Sequence, residues 1–135
     1  MKLKGSDRHL LRCDGFSPNN TNGFKHLTIV MAYCSESERI AVASVTSNRG
    51  TRSTDSSCLL SPGDHRFIRH PSFVSYTNAE ILNIDQIRRG LSTGILSLDL
   101  TLADSIIHRV ITGALESKNT PRGVKRFVEE KGLRD

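Results

Sequence analysis

Residues 25–47 read KHLTIVMAYCSESERIAVASVTS, and this stretch decides the fold class. Residues 27–33 and 39–47 are two short runs rich in β-branched and apolar side chains, and the polar tetrad 35–38 separates them. Two such runs joined by a short polar connection predict a β-hairpin of largely buried strands.

The sequence on either side of the hairpin predicts loops and further short strands. Residues 17–23, SPNNTNG, are a cluster of turn formers and predict a loop. Residues 48–57 shift to Asn, Arg, Gly, Thr, Ser and Asp, and predict a long loop of the kind that often carries function. CLL, RFI, SFVSY and AEILNI are short extended pieces, and residues 61–64, SPGD, place Pro and Gly as in a tight turn. Strands at this spacing are typical of a small barrel or sandwich.

The last third of the chain changes to a helical period. Between residues 101 and 117, apolar side chains recur every four positions with a second apolar stripe beside them, which predicts a helix with a wide apolar face. Thr101 and Asp104 are spaced as in a capping box at the start of this helix.

A second helix is predicted with Thr120 as its N-cap, Pro121 in its first turn and Gly132 as its stop. We expect it to fold back on the first helix and to bury Phe127. Strands followed by helices indicate an α+β domain, here a small β-barrel with two C-terminal helices. We expect a single domain over residues 1–135, with the barrel at about 8–97 and the helical tail at about 98–135.

Composition bounds the class of protein. The chain has 135 residues, of which 36% are hydrophobic and 24% charged, so we expect one soluble globular domain. No apolar run approaches the roughly 20 residues that a membrane-spanning helix needs. The N-terminus lacks the apolar core of a signal peptide, so the expected location is the cytoplasm. A net charge of +5 favours an anionic partner, either nucleic acid or an acidic protein.

The three cysteines, Cys13, Cys34 and Cys58, are widely spaced and odd in number, which argues against a disulfide framework. We expect small buried or half-buried side chains in a reducing compartment. A metal site built from Cys58 with Asp64, His65 and His70 is the alternative, but these spacings match no standard zinc pattern. No metal and no other cofactor is predicted.

Residues 61–76, SPGDHRFIRHPSFVSY, concentrate the polar side chains that could carry chemistry. They place histidines and arginines between short apolar pieces. Arginine offers a bidentate fork to a phosphate, and histidine exchanges a proton near neutral pH. Two interpretations stay open from the residues alone. One is a phosphate site, and the other is that Asp64 and the histidines satisfy a turn and a sheet edge.

Four segments in this order, KHLTIVMAY, RIAVASVTS, CLLSPGDHRFIRHPSFVSY and ILNIDQIRRG, resemble the MazF/PemK-like toxin family, in particular its branch with a G-D-H-x-F-I-x-H motif. The resemblance covers residues 25–113. It implies an SH3-like barrel that forms a homodimer and has an acidic antitoxin protein as its partner. The implied activity is that of a type II toxin, an endoribonuclease that cuts single-stranded RNA by attack of a ribose 2′-hydroxyl on the adjacent phosphate, without a metal.

The resemblance also implies site residues. Lys25 stands at the family's strand-opening arginine, Thr46 at the threonine of its strand-end tripeptide, and Asp85 at the aspartate of its D-Q segment. Asn83 stands where some members have a second arginine. With His65 chosen as the proton-transfer group, the predicted catalytic set is Lys25, Thr46, His65 and Asp85. The predicted RNA-binding side chains are His26, Arg49, Arg52, Arg66, Arg69 and His70.

Two other classes of function stay open. The same barrel, catalytically degenerate, would be a binding module for nucleic acid or protein. A third alternative is an interaction protein whose helical tail captures a partner. At the level of residues, the alternative for Thr46 is an ordinary β-branched strand end. The alternatives for Asp85 are that it ties down a turn or forms an ion pair with Arg88 or Arg89.

Overall fold

The computed structural model describes residues 10–14, 25–50, 54–65, 68–93, 96–99 and 103–132. The predicted loop 17–23, the predicted RNA-binding residues Arg52 and Arg66, and the predicted helix start at Thr101 lie outside these ranges. The backbone of Lys25 and His26 is described, but their side chains lie outside the description.

The six strands of the described part form one antiparallel sheet. They are β1 (Leu10–Asp14), β2 (Lys25–Cys34), β3 (Arg39–Ser47), β4 (Leu59–Leu60), β5 (Ser72–Asn83) and β6 (Leu96–Asp99). Their order across the sheet is β4-β5-β3-β2-β1-β6, which puts β4 and β6 at the edges. Residues 35–38 form the turn between β2 and β3, so the predicted hairpin is confirmed.

Two irregularities bend this sheet. The pairing of β2 with β3 shifts between Val30 and Ala32, and that of β3 with β5 shifts between Val42 and Ser44. Bulges of this kind increase strand twist, and here the sheet curls into a half-barrel. The predicted pieces SFVSY and AEILNI are the two halves of β5 on either side of the second irregularity.

Three helices complete the described part: α1 (Ile84–Thr93), α2 (Asp104–Glu116) and α3 (Arg122–Lys131). Strands followed by helices confirm the α+β class. The structure adds three elements that the sequence interpretation did not predict, β1, β6 and α1. Of these, α1 begins where the chain was expected to stay extended.

The predicted helix starts are also corrected. The N-cap of α2 is Ala103, without a side-chain cap. The N-cap of α3 is Pro121 rather than Thr120. The Thr120 hydroxyl instead donates a hydrogen bond of 2.8 Å to the carbonyl of Ala114, near the end of α2. Thr120 therefore caps the C-terminal end of α2 rather than the start of α3. The connection between the two helices is short, so the Thr120 side chain reaches back to α2.

The core lies between the curled sheet and the helices. Helices α2 and α3 pack on each other and on β2, and α3 also contacts β3 and β5. Residues 40–43 of β3 are all buried, because both faces of this central strand are covered. The largest fully buried side chains include Tyr76, Met31, Ile29, Ile40, Ile107 and Ile111. Burying each such side chain contributes about 1.5–3 kcal/mol.

None of the helices in the described ranges has the length and apolar character that a membrane crossing needs.

Candidate functional site

Three chain segments meet at one end of the sheet. Leu27, two residues after the start of β2, pairs with Val45 of β3, and Thr46 pairs with Phe73 of β5. The start of β2, the end of β3 and the start of β5 therefore lie side by side. We call this region the Thr46 end. It brings the backbone of Lys25 and His26 close to Thr46.

The loops at the Thr46 end are joined by hydrogen bonds. The backbone N–H of Asn48, just after β3, donates to the carbonyl of Pro71, just before β5, at 2.9 Å. The side-chain Oδ1 of Asn48 accepts from the N–H of Gly50 at 2.9 Å and from the hydroxyl of Thr54 at 3.1 Å. Gly50 has a φ of 68°, a left-handed conformation that glycine adopts without strain. These bonds close the loop after β3 and hold it against the segment before β5.

Exposed cationic and imidazole groups flank this junction. Arg49 follows Asn48, and Arg69 and His70 precede Pro71, and all three side chains are exposed. Thr46 is half-buried at the end of β3. A hydroxyl, two guanidinium groups and an imidazole thus belong to neighbouring segments at the Thr46 end, and these are group types suited to a phosphodiester.

His65 lies in a different environment. Its side chain is buried, with 6% exposed, and its carbonyl accepts a hydrogen bond of 2.9 Å from the N–H of Ile68. The preceding turn is the predicted SPGD turn: the Asp64 carboxylate accepts from the Ser61 N–H at 2.8 Å, and Gly63 has a φ of 101°. Of the two histidines in this segment, His70 is therefore the one that a large substrate can reach. The catalytic role of His65 stays a prediction.

Asp85 is not brought to the Thr46 end. It lies in the first turn of α1, directly after β5, and the far end of β5 pairs with Arg39. Arg39 and Thr46 are seven residues apart in β3, which is about 23 Å at roughly 3.3 Å per residue. The Asp85 carboxylate is 2.8 Å from the guanidinium of Arg88, which also lies 3.7 Å from Glu38. The ion pair with Arg88 that stood as one alternative for Asp85 is therefore observed.

The D-Q segment has a local structural explanation. Asn83 Oδ1 accepts a hydrogen bond from the N–H of Asp85 at 2.8 Å, while Gln86 Oε1 accepts from the N–H of Asn83 at 3.1 Å. This reciprocal pair is a capping box with asparagine and glutamine in its two positions. The sequence therefore contains the capping residues that start α1. They were not recognised because residues 79–84 were interpreted as a short extended piece.

A buried carboxylate beside the long loop was missed by the sequence interpretation. Asp55 is 8% exposed, and its carboxylate accepts hydrogen bonds from the Ser57 N–H at 2.9 Å, the Ser117 hydroxyl at 2.6 Å and the Asn119 amide at 3.1 Å. Burial raises the pKa of Asp55, but the hydrogen bonds, that of Ser117 first, outweigh burial and hold the pKa below its ordinary value. No local pattern links residues that are more than 60 positions apart.

Cys58 is buried, as predicted, and lies beside an open groove of about 400 Å³ between β4 and α2. Burial raises the pKa of its thiol. The groove is lined by Ser56, Ser57, Cys58, Leu59, His108, Arg109 and Thr112. Arg109 donates to the carbonyl of Leu59 and lies 3.6 Å from Asp64, so it covers part of the β4 edge.

Within the described residues, no three His, Cys, Asp or Glu side chains form a group that could hold a metal ion.

The resemblance to MazF/PemK-like toxins rests on the four sequence segments and stays a prediction. No protein-family model, no curated protein and no solved structure matches the chain.

Proposed function

We propose that the chain is a metal-independent endoribonuclease toxin of the MazF/PemK-like kind, acting on single-stranded RNA at the Thr46 end. The observation that carries the proposal is that Thr46, Arg49, Arg69 and His70 lie on two neighbouring segments at the Thr46 end, which the Asn48–Pro71 hydrogen bond joins. The side chains of Arg49, Arg69 and His70 are exposed there. The SH3-like barrel, the homodimer and the acidic antitoxin are part of the same proposal. The net charge of +5 supports an anionic partner.

The proposed chemistry divides into holding a phosphate and moving protons. The guanidinium groups of Arg49 and Arg69 would bind phosphate oxygens and offset the charge that develops on them, and the Thr46 hydroxyl would donate a further hydrogen bond. The imidazole of His70 would take the proton of the 2′-hydroxyl or return one to the leaving 5′-oxygen. We assign proton transfer to His70 rather than His65 because the His70 side chain is exposed.

A catalytically degenerate binding module is the second candidate. It is favoured by the separation of Asp85 from Thr46, since a carboxylate that the family resemblance places in catalysis is held at the other end of β3. Under this alternative, Arg49 and Arg69 would only neutralise phosphates, and RNA affinity would fall steeply with salt.

The test is cleavage of a single-stranded RNA oligonucleotide by the purified chain in EDTA, with the product ends identified by mass spectrometry. We expect 2′,3′-cyclic phosphate ends. His70→Ala should reduce the cleavage rate by about 100-fold or more. The matched control is His108→Ala, because His108 is also exposed but lies on α2. Its rate should stay within about twofold of wild type, the range of a neutral surface change.

Three other results would favour a different function or mechanism. RNA binding that falls with salt, without cleavage, would favour the binding module. Activity that disappears in EDTA and returns with zinc or manganese would contradict the metal-independent mechanism. An equal loss of cleavage rate in His70→Ala and His108→Ala would show that His70 has no specific catalytic role.

A further inference from the structure

A path of hydrogen bonds runs from the connection between α2 and α3 to the Thr46 end. Its first part is the Asp55 clamp, which we define as Asp55, Ser117 and Asn119. The Ser117 hydroxyl donates to Asp55 at 2.6 Å and accepts from the N–H of Asn119 at 3.0 Å. The amide of Asn119 donates to the same carboxylate oxygen of Asp55 at 3.1 Å. Both carboxylate oxygens are used, because the other accepts from the Ser57 N–H.

The clamp is itself built into the helical tail. Ser117 is 2% exposed, and its carbonyl accepts a hydrogen bond of 3.0 Å from the Lys125 ammonium on α3. Thr120 is also buried, and its hydroxyl is bonded to the carbonyl of Ala114 on α2. The donors that hold Asp55 are thus fixed by both tail helices, so the carboxylate is tied to a rigid support.

The second part of the path leads outward from the clamp. Thr54 is the neighbour of Asp55, and its hydroxyl donates to Asn48 Oδ1. Asn48 in turn donates its N–H to the carbonyl of Pro71, next to His70, and is followed by Arg49. Fixing Asp55 therefore fixes Thr54, and through Asn48 the two segments that carry Arg49 and His70.

We propose that Asp55 is a positioning residue, through which the C-terminal helices hold the loop of Arg49 in place for RNA binding at the Thr46 end. This inference rests on the proposed function. Because Asp55 is buried, it acts through Thr54 and Asn48 rather than by direct contact with RNA. The physical reason for a carboxylate at this position is that its two oxygens accept three hydrogen bonds at once, from its own loop and from the tail.

The experiment has two arms on the full chain. The first is the rate of trypsin cleavage after Arg49 under native conditions. The second is KM and kcat for the single-stranded RNA oligonucleotide. In Asp55→Asn and Ser117→Ala, we expect cleavage after Arg49 to become about tenfold faster, which corresponds to loss of one hydrogen bond to a charged group. KM should rise by about tenfold while kcat stays within about twofold, because a loosened loop weakens substrate binding more than it changes the reacting groups.

Two control variants separate loop anchoring from general effects. Lys118 is the exposed neighbour of Ser117 in the same connection, so Lys118→Ala should leave both arms unchanged. Val128 is fully buried on α3, so Val128→Ala lowers stability without touching the clamp. In Val128→Ala, the rate of trypsin cleavage after Arg49 should rise less than it does in Ser117→Ala.

Two results would overturn the inference. One is unchanged cleavage after Arg49 in Ser117→Ala and Asp55→Asn, and the other is an equal rise in Val128→Ala. If the wild-type chain neither binds nor cuts RNA, the proposed function fails and the positioning role for RNA fails with it. The trypsin arm still shows separately whether the clamp holds the loop, so the two failures are distinguishable.

Discussion

At the scale of single residues, Gly113 shows how closely α2 approaches the sheet. A Cβ atom built on Gly113 would collide with the Tyr76 hydroxyl and would meet Cys58 Cβ and the Ser57 carbonyl at 3.0 Å each. The Tyr76 hydroxyl occupies this space because it donates a hydrogen bond of 2.6 Å to the carbonyl of Val110 on the same helix. The close approach of α2 also buries Tyr76, and this burial raises the pKa of the Tyr76 hydroxyl. Glycine is required at position 113 for space, not for an unusual backbone angle.

Gly113→Ala should therefore lower stability although alanine is the better helix former. Overpacking of this kind costs about 1–3 kcal/mol, partly offset by about 1 kcal/mol of helix propensity. The matched control is Gly123→Ala on α3, where a Cβ meets nothing within 4 Å. That variant should gain roughly 0.5–1 kcal/mol. Urea denaturation of the two variants measures the difference in their free energies of unfolding. If both variants were stabilised equally, α2 would have to lie farther from Tyr76 than the structure shows.

At the scale of elements, α3 uses a narrow buried face. Val124 and Val128 are buried, whereas Phe127 is half-buried at the margin of the core. The guanidinium of Arg39 lies over the Phe127 ring, 6.0 Å from its centroid. The helix contacts α2 as well as β2, β3 and β5. The second helix packs on the first, as predicted, but the predicted burial of Phe127 is corrected. Its ring is only half-buried, and one of its neighbours is the exposed guanidinium of Arg39 at the start of β3.

Phe127→Ala should consequently cost less than the roughly 3–5 kcal/mol of a fully buried phenylalanine. Partial burial and an exposed cation–π contact together suggest about 1–3 kcal/mol. The measurement is the free energy of unfolding in urea, with Arg39→Ala as the companion variant. A melting temperature within about one degree of wild type would mean that α3 is detached from the sheet.

At the scale of the whole molecule, Asp55 joins parts that are distant in the chain. The loop after β3 and the connection between α2 and α3 meet at this one carboxylate. Its pKa is held below the ordinary value because its hydrogen bonds favour the charged form more than burial disfavours it. A depressed pKa in the folded state means that the ionised carboxylate stabilises the fold.

This gives a pH dependence with a defined sign. The contribution of Asp55 is fully present above the ordinary aspartate pKa of about 3.9 and is lost as pH falls through the lower pKa of the folded chain. Asp55→Asn should therefore be less stable than wild type at neutral pH. The difference should shrink as pH falls below about 4. Urea denaturation between about pH 7 and pH 3 measures it, and a difference that does not change with pH would contradict the role of the ionised form.

Features that depend on neighbours in the chain follow from the sequence alone. The β2–β3 hairpin consists of two apolar, β-branched runs on either side of a polar turn, the SPGD turn needs only its own four residues, and the tail shows its helical period directly. Each follows from backbone preference and from the side chains a few positions away. The signal for the start of α1 was equally local, since Asn83 and Gln86 cap it, but residues 79–84 were interpreted as a short extended piece.

Which polar residues lie near one another depends on the tertiary fold. The family resemblance implies that Thr46 and Asp85 act together, but the register of β3 with β5 puts Thr46 at one end of β3 and the start of α1, which carries Asp85, at the other. The same folding brings Ser117 and Asn119 to Asp55 across more than 60 residues. These outcomes depend on strand register, on the bulges that curl the sheet, and on where the tail helices pack. None of these has a signature within a short window of sequence, because each is fixed by the burial of the whole core.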